Sequence, residues 1–218
     1  MNMEDSGLIS GNALFQESYY KAHEKEFLAL VKKGQHPKAL YIGCSDSRVL
    51  PNLITKSSPG DLFVVRNVGN FVAPYKPDED FHSTASAIEY AISILNVKNI
   101  IVCGHTHCGA IEAIHDKSKL DSPELIHTKK WLTLGEKPKV QAILALGVNA
   151  DKDELLRLTE KLSVITQIEN LLTYPSVKSR VDNGTVAVHG WVYDIESGNI
   201  DYYNPETSQF MPISSLEP

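Results

Sequence analysis

Three cysteines in 218 residues are too few, and odd in number, for the disulfide framework that staples small secreted domains. Basic residues are outnumbered: 21 Lys and Arg against 27 Asp and Glu leave a formal net charge of -6. With the two signs intermixed, there is no basic footprint for nucleic acid. No apolar run approaches the roughly 20 residues that cross a bilayer. The opening residues Met1-Asn-Met-Glu-Asp-Ser-Gly7 also lack the basic stretch and apolar run of a secretory signal. Repeats and low-complexity segments are absent as well. A protein without nucleic-acid or membrane partners is expected, with the cytoplasm as its default compartment. The length suits one α/β domain, since single cores grow to roughly 250 residues before splitting.

What is present alternates in period. Residues 8–33 read as helical, with Leu14, Phe15, Phe27, Leu28 and Val31 forming an imperfect apolar stripe, and Gly34 and Pro37 stop the pattern. Residues 1–34 are therefore expected as an N-terminal helical arm and 35–218 as a single α/β domain. Strands are predicted at 40–43, 62–66 and 99–103, with a helix over 81–95 whose Ala87, Tyr90, Ala91 and Ile94 face the sheet. A helical region follows from about 107 to 182, broken near Gly135, Pro138 and Pro175, and strands resume at Thr185. There Glu196-Ser-Gly-Asn199 is a hairpin turn between Val186-Ala-Val188 and Ile200-Asp-Tyr-Tyr203. Strands alternating with helices predict an α/β fold with a central, mostly parallel β-sheet flanked by helices.

Two short clusters carry the chemistry, Cys44-Ser-Asp46-Ser-Arg48 and His105-Thr-His107-Cys108. Cys103 ends the apolar run Asn99-Ile-Ile-Val-Cys103 and reads as core. Cys44 ends the similar run Ala39-Leu-Tyr-Ile-Gly-Cys44, but polar residues follow it at once, as at the carboxyl end of a strand opening on a crevice. Ligands of open α/β sheets collect outside those ends. Two thiolates and an imidazole, from His105 or His107, form the donor set of a zinc site that keeps its fourth position for water or substrate.

The chain resembles the β-class carbonic anhydrases through CSDSR at Cys44 to Arg48, RNVGN at Arg66 to Asn70, and CGHTHCGA at Cys103 to Ala110. The similarity runs from about Gln35 to Tyr193. It implies one zinc per subunit on Cys44, His105 and Cys108, leaving His107 as an exposed loop residue, with Asp46 and Arg48 as a catalytic dyad beside the metal. The implied reaction is reversible hydration of carbon dioxide to bicarbonate and a proton, with zinc-bound hydroxide as nucleophile. The positions matching the family's substrate pocket are Phe63, Val68 and Tyr90 as walls and Gln35 as a side-chain amide; Gly109 adds a backbone N–H at a helix start. The resemblance also implies self-association as a homodimer or tetramer.

Two thiolates cancel the formal charge of Zn²⁺, so this centre polarises water less than a three-histidine site. Arg48 can hold Asp46 by a forked pair of hydrogen bonds, and Asp46 can then orient the hydroxide. In some members of the family the matching aspartate instead becomes the fourth zinc ligand and closes the site, alongside a bicarbonate pocket of tryptophan, arginine and tyrosine. Arg66 and Tyr193 match two of these, but the tryptophan position is Tyr41. An open site at neutral pH is therefore expected, with Arg66 structural or at a subunit interface. Hydrolysis of CS₂ or COS on the same fold, or a non-catalytic bicarbonate-binding zinc module, are the alternatives. No fourth Cys or His ligand is evident, which disfavours a purely structural metal.

Overall fold

The computed structural model describes residues 7–78 and 80–216. Its contacts divide the chain into a first unit ending at His36 and a second beginning at Pro37. The first unit is helical: α1 (Leu8–Phe15) continues through a π-helical turn, Gln16–Tyr20, into α2 (Lys21–Lys33). None of the residues in these helices is buried. The expected stripe gathers as an aromatic knot, in which Phe27 meets Tyr20 at 5.0 Å and Phe15 at 6.2 Å between ring centroids, while Leu14, Leu28 and Val31 stay exposed.

The second unit is built on six strands, β1 (Ala39–Cys44), β2 (Leu62–Asn67), β3 (Asn99–His105), β4 (Ala187–Tyr193), β5 (Ile200–Asn204) and β6 (Gln209–Pro212), in the order β2-β1-β3-β4-β5-β6. The first four are parallel, and β5 and β6 are added antiparallel. β1 is buried at every position and β3 at all but its first, which is why both read as unbroken apolar runs. β5 pairs with Trp191, Val192 and Tyr193, not with 186–188 as the hairpin reading had it. A short turn joins the residues that flank it, so β5 pairs with the end of β4 next to the turn.

The helices are α3 (Pro51–Thr55), α4 (Ser83–Glu89), α5 (Gly109–His115), α6 (Ile126–Leu132), α7 (Glu136–Leu146), α8 (Lys152–Leu171) and α9 (Pro175–Asp182). Pro138 does not break its helix, because it lies in the first turn of α7, where a missing N–H costs nothing. Pro175 does mark a boundary, at the first position of α9. The expected apolar face of 81–95 is corrected as well: Ile88, Ala91 and Ile92 are buried, whereas Tyr90 is 45% and Ile94 62% exposed. The buried set, Ile88, Ala91, Ile92 and the partly buried Leu95, keeps the i, i+3, i+4, i+7 spacing of a helix but lies one residue along from the expected face.

The main core joins Leu40, Ile42, Ile100 and Val102 of the sheet to Ile88 and Ile92 on the α4 side and to Val164 and Leu171 of α8. Two glycines let α8 lie close on the sheet. A Cβ at Gly104 would stand 2.7 Å from Val164 Cγ2, and one at Gly190 would stand 2.8 Å from Ile168 Cδ1. The chain leaves β1 toward β2 on one side and leaves β3 toward β4 on the other. The sheet therefore has its topological switch between β1 and β3, where a crevice opens beyond the carboxyl ends. No helix among the described residues is long and apolar enough to cross a membrane.

Candidate metal centre

β1 ends on Cys44 and β3 on His105, so the two neighbouring strands deliver both residues to the switch-point crevice. Beyond His105 the chain turns through Thr106 and His107, the latter left-handed at φ 59, and Cys108 caps the start of α5. Cys44, His105 and Cys108 are buried, and each offers a ligand atom within 4.8 Å of the other two.

The donor chemistry of this cluster fits a soft divalent cation. His105 Nδ1 bonds the Thr106 carbonyl at 2.9 Å; since a carbonyl only accepts, Nδ1 carries the proton and Nε2 keeps a free lone pair. Nε2 is buried with no partner among the described residues. The neighbouring Cys108 thiol, and after it the His105 imidazole, hold Cys44 below the usual thiol range, helped by the backbone N–H groups of Asp46 and Gly69, and Gly69 N donates to Cys44 Sγ at 3.4 Å. Sharing that proton, and burial, hold Cys108 well above the usual thiol range. Cys103 stands apart in the strand core, where burial pushes it up to about 12.

Beside the cluster Arg48 forks onto Asp46, Nε to Oδ1 at 2.9 Å and Nη2 to Oδ2 at 2.8 Å. These bonds hold the Asp46 carboxyl well below the ordinary carboxylate range. Asp46 Oδ2 lies 4.0 Å from His105 Nε2, on the metal side of the pair. Arg66 braces the motif from behind, its Nε donating to the Cys44 carbonyl at 2.9 Å and its Nη2 to the Asp46 carbonyl at 2.6 Å.

The remaining sequence-derived positions fall in different places. Phe63 and Tyr90 stack with ring centroids 5.8 Å apart. Val68, 46% exposed, adjoins the Gly69 that contacts Cys44, and its carbonyl accepts the Trp131 indole N–H at 2.7 Å. Gly109 is the first residue of α5. Gln35 is exposed near the end of the first unit. His107 is an exposed loop residue, pairing with Glu196 at 2.9 Å.

Sequence reasoning missed the supports of the His105–Cys108 turn. Thr106 Oγ1 donates to Asp194 at 3.1 Å, and Cys108 N donates to Glu160 Oε1 at 3.0 Å. Burial lifts the Glu160 carboxyl to about 7, against the Cys108 N–H and the Arg157 guanidinium, which favour its charged form. The one available signal was a glutamate at a core-facing position of a long helix.

The family model described as carbonic anhydrase matches residues 39–200. A carbonic anhydrase of Synechococcus elongatus is 39% identical over 193 residues, covering 88% of this chain and 69% of its own. One of Pseudomonas aeruginosa is 39% identical over 207 residues, covering 95% and 91%. Among solved structures, the β-carbonic anhydrase CcaA superposes with TM-score 0.88 at 37% identity, covering 97% of this chain and 92% of that one. A second, described as one of two tetrameric β-carbonic anhydrases of the filamentous ascomycete Sordaria macrospora, gives TM-score 0.77 at 32% identity, covering 93% and 97%.

Proposed function

The chain belongs to the β-class carbonic anhydrases and catalyses the reversible hydration of carbon dioxide to bicarbonate and a proton; we propose that the zinc this activity depends on is held by Cys44, His105 and Cys108, one ion per subunit. The observation that carries the assignment is the unpartnered, buried His105 Nε2 set among two thiols within 4.8 Å. An imidazole lone pair left dry and unused is costly, and a cation accounts for it. Bound there, zinc supplies the Lewis acidity that lowers the pKa of water.

The chain supplies orientation. With two thiolates offsetting the cation's charge, the nucleophile gains from a fixed acceptor, and Asp46 Oδ2 is that acceptor. Arg48 keeps the carboxylate ionised and turned toward His105, so Oδ2 accepts a hydrogen bond from the attacking oxygen and points its remaining lone pair at carbon. Phe63, Val68 and Tyr90 offer apolar walls to a substrate without charge, and the Gly109 N–H offers a donor to the developing bicarbonate oxygen. The Asp46–Arg48 pairing supports a site that is open at neutral pH.

We also propose self-association as a homodimer or tetramer. The exposed apolar residues of α1 and α2 and the tetrameric relatives support it.

Stopped-flow CO₂ hydration across pH, with zinc quantified in the same sample, tests the assignment. Turnover that tracks zinc content is expected; full activity after rigorous chelation would overturn it.

A further inference from the structure

A carboxylate in a protein interior is costly unless paired, and Glu160 is 3% exposed. It lies on α8, 52 residues from Cys108 in sequence, and the chemistry above makes no use of it. Its Oε1 accepts two hydrogen bonds, from Cys108 N at 3.0 Å and from Arg157 Nη2 at 2.9 Å. The peptide that offers the Cys108 N–H carries the His107 carbonyl at its other end. That carbonyl accepts Arg48 Nη2 at 2.9 Å, and the same nitrogen holds Asp46 Oδ2 at 2.8 Å.

A trans peptide points its N–H and C=O in opposite directions. This one is therefore gripped from both sides, by Glu160 from the interior and by Arg48 from the site. The grip matters because the peptide can turn about ψ of His107 and φ of Cys108, two soft torsions. Released from Glu160, it would be held from the site side alone, and turning over would take its carbonyl off Arg48. We propose that Glu160 is a positioning residue: by fixing the His107–Cys108 peptide it seats the Cys108 thiolate on the metal and keeps Arg48 on Asp46. Arg157 in turn orients Glu160. The inference rests on the metal site and dyad proposed above.

The test uses the full-length zinc-loaded protein with Glu160→Leu, which removes the acceptor at similar volume, and Glu160→Gln, which keeps one. Zinc release to a chelator, the ¹⁵N-¹H signal of the Arg48 side chain, and kcat and KM for CO₂ are measured together. Glu160→Leu is expected to release zinc about tenfold faster, to shift the Arg48 signal, and to lower kcat about tenfold with KM little changed. Glu160→Gln is expected to stay within about threefold of wild type on every readout. Wild-type zinc release and an unmoved Arg48 signal in Glu160→Leu would overturn the proposal, as would equal damage in Glu160→Gln. If Glu160→Leu does not fold, amide exchange at Cys108 in the wild type decides: slow exchange supports the grip, and exchange at the rate of an open loop overturns it. An inactive zinc-loaded wild type would instead sink the functional reading, leaving the zinc-release and Arg48 readouts to judge Glu160.

Discussion

Arg48 holds both carboxylate oxygens of Asp46, at 2.9 Å on Oδ1 and 2.8 Å on Oδ2, while Oδ2 faces His105 Nε2 at 4.0 Å. One residue thus anchors the proposed acceptor, and the carboxylate is turned toward the Cys44–His105–Cys108 cluster. Asp46→Asn retains the shape and the metal ligands but puts an amide where the proton acceptor stood. Turnover should fall by about 10²-fold at unchanged zinc content, read by stopped flow and metal analysis on the same sample. A wild-type rate in that variant would remove Asp46 from the orienting role.

Cys44→Ser attacks the metal itself. A hydroxyl is a far poorer ligand for a soft cation than a thiolate, and Gly69 N would lose the sulfur it contacts. Purified Cys44→Ser should carry well under one zinc per chain and show no turnover, and chelated wild type should match it. Full metal content with a normal rate would refute the ligand assignment.

Much of this was legible from residue order. β1 and β3 announce themselves as unbroken apolar runs because both their faces are buried, and the proposed ligands sit where those runs meet polar residues. Glu160 was not legible: nothing in the pattern of α8 says that one of its inward carboxylates meets a peptide 52 residues earlier, because only the sheet brings the two together. Tyr90 and Ile94 were misread because the segment is apolar on adjacent faces: the stripe 88, 91, 92, 95 that meets the core has the same spacing as 87, 90, 91, 94, one residue earlier, and periodicity alone does not choose between them. The hairpin of β4 with β5 was legible but its register was not, because the pairing residues, Trp191 to Tyr193, are set by the turn's reach and not by the apolar content of 186–188.

Glu160 also predicts a pH effect with a definite sign. Burial raises its carboxyl from 4.5 to about 7 in the folded chain, so the native state binds the proton more tightly than the unfolded one. The contribution is whole below the unfolded pKa and is lost as pH rises through about 7. The Cys44 thiol, lowered in the fold, runs the other way, so the observable is a difference. In the metal-free protein, wild-type stability minus that of Glu160→Gln should fall by ~3 kcal/mol at most between pH 4.5 and 7.5. Chemical denaturation at several pH values measures it; a flat difference would mean that Glu160 ionises freely.

Self-association has a direct check. Leu8, Ile9, Leu14 and Val31 are all more than half exposed, an apolar load that is costly in water. Light scattering at micromolar concentration should return at least twice the 24.1 kDa chain mass. A monomeric mass would refute the proposed oligomer.

The proposed open site is supported by how Tyr41 and Arg66 are employed. Tyr41 is wholly buried, its hydroxyl has no partner among the described residues, and burial drives its ionisation far above the usual phenol range. Arg66 spends Nε and Nη2 on the Cys44 and Asp46 carbonyls, bonds an incoming anion would have to compete with. A bicarbonate that took either of these nitrogens would displace a backbone hydrogen bond, at about 1 to 2 kcal/mol each, before gaining any of its own. Crystals grown near neutral pH in bicarbonate should show Asp46 on Arg48 and no anion between Tyr41 and Arg66. Asp46 found on zinc with Arg48 released would show instead that the site closes under those conditions.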